Sequence, residues 1–130
     1  MNHTDYAIEL NDFSYKIETI DLTSLGVSEE TIKRVRVSKL YYALFHRVLE
    51  ELPDLQKSTA PGKHEQIVQR LEKHSGNLHT EKVLKHFKDL KMMREWADYQ
   101  PSLSTPNSNM SVLFKKTYSF IMCAKIFPSQ

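Results

Sequence analysis

Apolar and polar residues alternate in the first part of the chain and then change period. Tyr6, Ile8 and Leu10 alternate with Ala7 and Glu9, Phe13, Tyr15 and Ile17 alternate with Ser14 and Lys16, and Asn11-Asp12 lies between the two runs as a two-residue turn candidate. The alternation predicts a short N-terminal β-hairpin. An irregular or helical arm is the alternative, because a lone hairpin is marginal in water unless it lies on a larger body.

From Val27 onward the period is helical. Ser28 is a good N-cap, Glu29 and Glu30 put negative charge into the first turn, and Val27 with Ile32 take the staple positions on either side of the cap. Ile32, Val35, Leu40, Ala43, Leu44, Val48 and Leu49 then recur at helical spacing until Pro53. That predicts a helix of about 24 residues, roughly 36 Å long. Residues 54–62 read as a loop, and Ile67, Val68 and Leu71 mark a shorter helix over about 62–74 that ends at Ser75-Gly76-Asn77. Thr80 is a cap candidate for a third helix with Val83, Leu84, Phe87, Leu90, Met93 and Ala97 on one face, stopped by Pro101. A fourth, over about 109–127, carries Leu113, Thr117, Phe120, Ile121 and Ala124 and is closed by Pro128. Helices with one apolar stripe each, joined by ordinary loops, predict an all-α antiparallel four-helix bundle over 28–130 behind an arm at 1–27.

Composition narrows the class. A chain of 130 residues buries roughly two thirds of its unfolded surface and folds as one domain without a staple. One cysteine cannot form an internal disulfide, and acids stand near the N-terminus where a signal peptide would carry basic and then apolar residues. With no apolar run of membrane-spanning length, the expected compartment is the cytoplasm, with no membrane partner. The net charge of +2 hides an asymmetry: residues 1–27 hold one base against five acids, leaving the remainder at +6. A basic body suits an anionic partner such as RNA, although a pI near 8.6 is below the usual nucleic-acid footprint.

The candidate chemistry lies in two strings. On the first predicted helix Lys39, Tyr42 and His46 fall at i, i+3 and i+7, so a cation, a phenol and an imidazole share one stripe inside Leu40-Tyr41-Tyr42-Ala43-Leu44-Phe45. On the third, Arg94 and Asp98 are an i, i+4 pair beside Trp96 and Tyr99. The plain alternative makes Tyr41 and Phe45 core, Tyr42 a backbone partner, His46 a boundary residue and Arg94–Asp98 a surface ion pair of small energy.

Val37-Ser38-Lys39-Leu40-Tyr41-Tyr42-Ala43-Leu44-Phe45-His46 resembles the S-R-A-Y-Y-A-x-F-H helix of the HEPN superfamily, and Met93 to Tyr99 resembles that group's L-R-x-x-A-D-Y motif. Lys63-His64-Glu65-Gln66 lies between them, where the group often starts a short helix with a His. The resemblance covers about residues 28–127 and is greatest to the compact bacterial branch. It implies a four-helix bundle, often a homodimer, directed at RNA or nucleotides. Many such members are metal-independent RNases of toxin or phage-defence systems, paired with an antitoxin or nucleotidyltransferase protein. It also implies His46 and Lys39 as the catalytic pair, with Tyr42, Arg94, Asp98, Tyr99 and His64 as binding residues. The family's catalytic signature is an Arg followed four to six residues later by His. Here Lys39 stands before His46 as K-x6-H, Arg70 and His74 give only R-x3-H, and no His follows Arg94. A His serves as base toward a ribose 2′-OH while a cation stabilises charge on the phosphate, and lysine lacks the planar fork that holds two phosphate oxygens. The stripes then predict a groove in which Lys39 and His46 face Arg94 and Asp98. A helical module binding a partner protein without catalysis is the alternative function.

The remaining candidates carry less. His64, His74, His79 and His86 include no i, i+4 pair and no nearby Cys, so they read as scattered solvent-facing histidines and not as a zinc site, and no cofactor is expected. Cys123, flanked by Ile121, Met122 and Ala124, reads as a structural thiol.

Overall fold

The computed structural model describes residues 1–57, 62–102 and 109–128. The protein is all-α, with no strand among the described residues, and none of its helices is long and apolar enough to cross a membrane.

The expected hairpin is replaced by a helix, α1 (His3–Lys16), followed by single 3-10 turns at Ile17–Thr19 and Thr23–Leu25. Asn2 caps α1 through a capping box, its side chain accepting from the Asp5 N–H while the Asp5 carboxylate accepts from the Asn2 N–H. The alternation misleads because of what α1 buries. Its inner positions are Ala7, Leu10, Asn11 and Ser14, followed by Ile17, a helical spacing in which two members are polar. The large aromatics that set the apparent period of two point outward: Tyr6 is 40%, Phe13 46% and Tyr15 53% exposed.

α2 (Glu29–Glu50) starts at Ser28 as expected, with the Ser28 Oγ accepting from the Thr31 N–H at 3.1 Å. Pro53 opens a short helix, α3 (Pro53–Gln56), in the stretch read as loop, since its missing N–H costs nothing at a first helical position. α4 (Lys63–Lys73) buries Ile67, Val68 and Leu71. α5 (Leu78–Tyr99) is capped by Asn77 and not by Thr80. The Asn77 Oδ1 accepts from the Thr80 N–H at 3.0 Å, while the buried Thr80 hydroxyl donates to the Ile126 carbonyl at 2.7 Å.

α6 (Met110–Ile121) ends well before Pro128. Arg47 explains why: its guanidinium donates to the carbonyls of Ile121 and Cys123 at 2.9 and 3.0 Å. Glu51 accepts from the N–H groups of Ile126 and Phe127 at 2.8 and 3.1 Å. The chain turns where these side chains take its backbone groups, and Ala124 is left exposed.

α2 is the central element, packed against α1, α4, α5 and α6. Leu40, Tyr41, Leu44, Val48 and Leu49 of α2 meet Ile67 and Leu71 of α4, Val83, Phe87 and Leu90 of α5, Phe120 of α6 and Ile126. A second cluster joins Ala7 and Leu10 of α1 to Ala43 and Ile121, so the segment before Ser28 is folded onto the body.

Candidate functional site

Three strings separated in sequence converge on Arg94. Its guanidinium carbon lies 5.1 Å from the Tyr41 ring centroid, 5.7 Å from Tyr42 and 5.5 Å from Tyr99. These are distances at which a cation is attracted to an aromatic face. One terminal nitrogen donates to the Tyr99 hydroxyl at 3.4 Å and lies 3.6 Å from the Asp98 carboxylate. Asp98 in turn accepts from the Ser38 hydroxyl at 3.4 Å. Arg94 is only 9% exposed, and its Nε is buried without a hydrogen-bond partner.

His64, at the start of α4, stacks on Tyr41 with centroids 5.5 Å apart and hydrogen-bonds the Tyr41 hydroxyl through Nδ1. Burial pushes the Tyr41 phenol well above its ordinary value, with Arg94 opposing. Burial, then Arg94, Lys91 and Lys63, lower the His64 imidazole. Phenol and imidazole are therefore both neutral near pH 7, and the guanidinium is paired with the Asp98 carboxylate at 3.6 Å.

Lys39 lies apart from that centre, in a groove of about 280 Å³ between α2 and α5 that it shares with Ser38 and Asp98. The expected groove thus brings Lys39 to Asp98, but His46 is not in it. His46 lies two turns further along α2, a rise of about 10 Å. It is covered by α1: its Nδ1 is 2.9 Å from the Nδ1 of His3, the rings are stacked at 5.1 Å, and Tyr6 meets it edge-on at 4.7 Å. Burial, then His3 and Lys63, push its pKa down to about 4. The Phe45 ring packs on both imidazoles, 5.3 Å from His46 and 4.6 Å from His64. Lys63 acts on both as well, so the two centres are neighbours across Phe45.

The period-2 reading puts Tyr6 in a strand and leaves His3 outside any element, so neither was expected beside His46. Arg47 and Glu51 were not expected either, although their i, i+4 spacing was a visible signal. Among the described residues no group of three or more His, Cys, Asp or Glu is set to hold a metal ion. His86, expected to face solvent, is instead buried against the Thr117 hydroxyl at 2.9 Å, a partner that only the packing of α6 on α5 supplies. Cys123 is half-buried, its thiol pushed up by burial.

No family model matches this chain, and neither does any curated protein or solved structure. The chemistry of the cluster is therefore its own guide. A largely desolvated guanidinium rimmed by aromatic faces, with lysines nearby, suits a phosphate with an attached base. A neutral imidazole beside it suits proton abstraction.

Proposed function

We propose that this chain is a HEPN-like, RNA- or nucleotide-directed domain, with α2, α4, α5 and α6 as its antiparallel bundle and Arg94 as its phosphate contact. The observation that carries this reading is the convergence of Tyr41, Tyr42, His64, Asp98 and Tyr99 on that one guanidinium. Tyr99, 69% exposed, is the platform for a base, and Lys63 and Lys91 add long-range attraction. Cleavage in this reading is metal-independent, with His46 as base toward a ribose 2′-OH and a 2′,3′-cyclic phosphate as product.

Fluorescence anisotropy with a short single-stranded RNA and with nucleotides tests the binding. Tyr99→Ala should weaken it by about 10-fold, as expected for one lost stacking contact of roughly 1–3 kcal/mol, and Arg94→Lys should weaken it while preserving the fold. Equal affinity for wild type and both variants refutes the cluster as the binding site. For cleavage, RNA digestion in EDTA by wild type and His46→Ala is decisive.

The separation of Lys39 from His46 favours a second reading: a non-catalytic module, dimeric or paired with an antitoxin or nucleotidyltransferase. Intact RNA in the EDTA assay leaves that reading in place.

A further inference from the structure

The hydroxyl of Tyr41 has one hydrogen-bond partner among the described residues, the Nδ1 of His64. Tyr41 is 0% exposed, so water does not reach that hydroxyl in its place. A phenol has one hydrogen to donate, and a neutral imidazole carries one, at either Nδ1 or Nε2. If an Nδ1–H donated to the phenol oxygen, the phenol hydrogen would be sealed in the core without an acceptor, which costs a buried unsatisfied donor. The bond therefore runs from Tyr41 to His64. Nδ1 accepts, and the single hydrogen of the neutral ring stands at Nε2.

That outer nitrogen is open. The polar side-chain atoms sealed without a partner among the described residues belong to Asn11, His79 and Arg94, and the Nε2 of His64 is not one of them. It has no partner among the described residues either, so it meets solvent. Three rings of α2 hold the imidazole in place: Tyr41 with centroids 5.5 Å apart, Tyr42 edge-on at 6.1 Å and Phe45 at 4.6 Å. The guanidinium carbon of Arg94 lies 5.1 Å from the centroid of that same Tyr41 ring. One phenol thus carries a guanidinium on its face and an imidazole N–H at its hydroxyl edge.

We propose that the Nε2–H of His64 is a second, uncharged donor to the phosphate of the ligand that Arg94 contacts, and that Tyr41 is the positioning residue that fixes its tautomer. This rests on the RNA- or nucleotide-directed reading above and completes its phosphate contact with a residue of α4.

The surroundings keep the donor neutral. Burial, then Arg94 and Lys91 of α5 and Lys63 of α4, disfavour a second proton on the ring. A hydrogen bond from Tyr41 to the bare Nδ1 stabilises the neutral form and acts in the same direction. Neutral imidazole N–H groups serve elsewhere as donors to polarised oxygens. The fixed tautomer also leaves His64 no outer lone pair, so it cannot take a proton from a ribose 2′-OH. Of the two neutral imidazoles, only His46 is left for the base of the cleavage reading.

Long-range 1H–15N NMR of the histidine side chains in the full chain tests the tautomer. Wild type at neutral pH should show His64 with its hydrogen at Nε2 and a bare Nδ1, and Tyr41→Phe should bring Nδ1–H into the population. A hydrogen at Nδ1 in wild type, or a tautomer that Tyr41→Phe leaves unchanged, overturns the role of Tyr41. Fluorescence anisotropy with a short single-stranded RNA and with nucleotides is the second arm. His64→Ala should weaken binding by about 10-fold, as expected for a lost hydrogen bond to a charged group. His64→Gln, which returns an amide N–H to that place, should recover most of the loss, and equal losses in the two variants overturn the donor. If Arg94→Lys weakens binding and His64→Ala does not, the His64 contact is wrong and the RNA-directed reading stands. A fixed tautomer in a wild type that binds neither RNA nor nucleotides refutes that reading and the phosphate contact together.

Discussion

Replacing Glu51 by Ala tests whether the end of the chain is held by a buried charge network. Glu51 accepts from the Arg47 guanidinium at 2.7 Å and from the N–H groups of Ile126 and Phe127. Arg47 also donates to the carbonyls of Ile121 and Cys123. The two side chains are 6% and 17% exposed, so little water replaces a lost partner. Removing the carboxylate strands a guanidinium and two backbone N–H groups. Summing three charged hydrogen bonds at about 1.5–3 kcal/mol each overcounts coupled terms, and removing one partner of a buried pair costs about 3–5 kcal/mol. That range is expected for Glu51→Ala, a drop in Tm of roughly 10–20 °C for a chain of this size. Urea unfolding followed by circular dichroism measures it, with an unchanged slope showing that stability alone has moved. The control is Lys85→Ala, which breaks an exposed pair to Asp89 and should cost no more than about 0.5 kcal/mol. Arg47→Met with Glu51→Leu should remain destabilised, because the backbone groups at 121, 123, 126 and 127 lose partners that no apolar pair can replace. A Glu51→Ala loss within about 1 kcal/mol of wild type refutes the network.

Two further outcomes follow from buried polar groups. Burial, followed by Lys116, holds His86 down to about 4 in the folded protein. The unfolded chain therefore binds the extra proton between about pH 6.5 and 4, and stability falls as pH drops through that window, by about 3 kcal/mol for a shift of this size. His86→Gln, which retains a partner for Thr117, should reduce the dependence of urea midpoint on pH there, with His46 supplying the remainder; an unchanged slope shows that His86 does not contribute. Asn77→Ala removes the α5 cap and should cost about 1 kcal/mol by the same unfolding assay, whereas Asn77→Gly should cost only a few tenths; no measurable loss in Asn77→Ala would show that the side-chain oxygen is not what caps the helix.

The sequence was most legible where a single physical signal acted alone. Ser28, Glu29 and Glu30 mark the start of α2, because capping is local. The face of α4 and the first part of that of α5 followed from period alone, since Ile67, Leu71, Val83 and Phe87 are fully buried, whereas Met93 and Ala97 are only half-buried and Arg94 and Trp96 take the inner positions. The misreadings share a cause: polar residues with tertiary partners. Ser14 is buried in α1 because its hydroxyl donates to the Arg36 carbonyl at 3.0 Å, while the Arg36 Nε donates to the Ser14 carbonyl at 2.7 Å. Hydropathy counts both as surface and so erases the helical period. At the other end, α6 stops where Arg47 and Glu51 take its carbonyls and the following N–H groups, a competition that exists only once α2 is alongside.

The candidate site divides along the same line. The Tyr41-Tyr42 and Arg94–Tyr99 strings were visible, and their meeting follows from the packing of α2 on α5. What no spacing rule could supply is the neighbour of His46. A K-x6-H spacing sets the two backbone positions about 10 Å apart along the helix, and here the two side chains line different clefts. The groups beside His46 instead come from elements distant in sequence, with His3 from α1 and Lys63 from α4. Lys39 belongs with Ser38 and Asp98 in the groove between α2 and α5, whereas what acts on His46 is burial, then His3 and Lys63, and Lys63 reaches His64 as well.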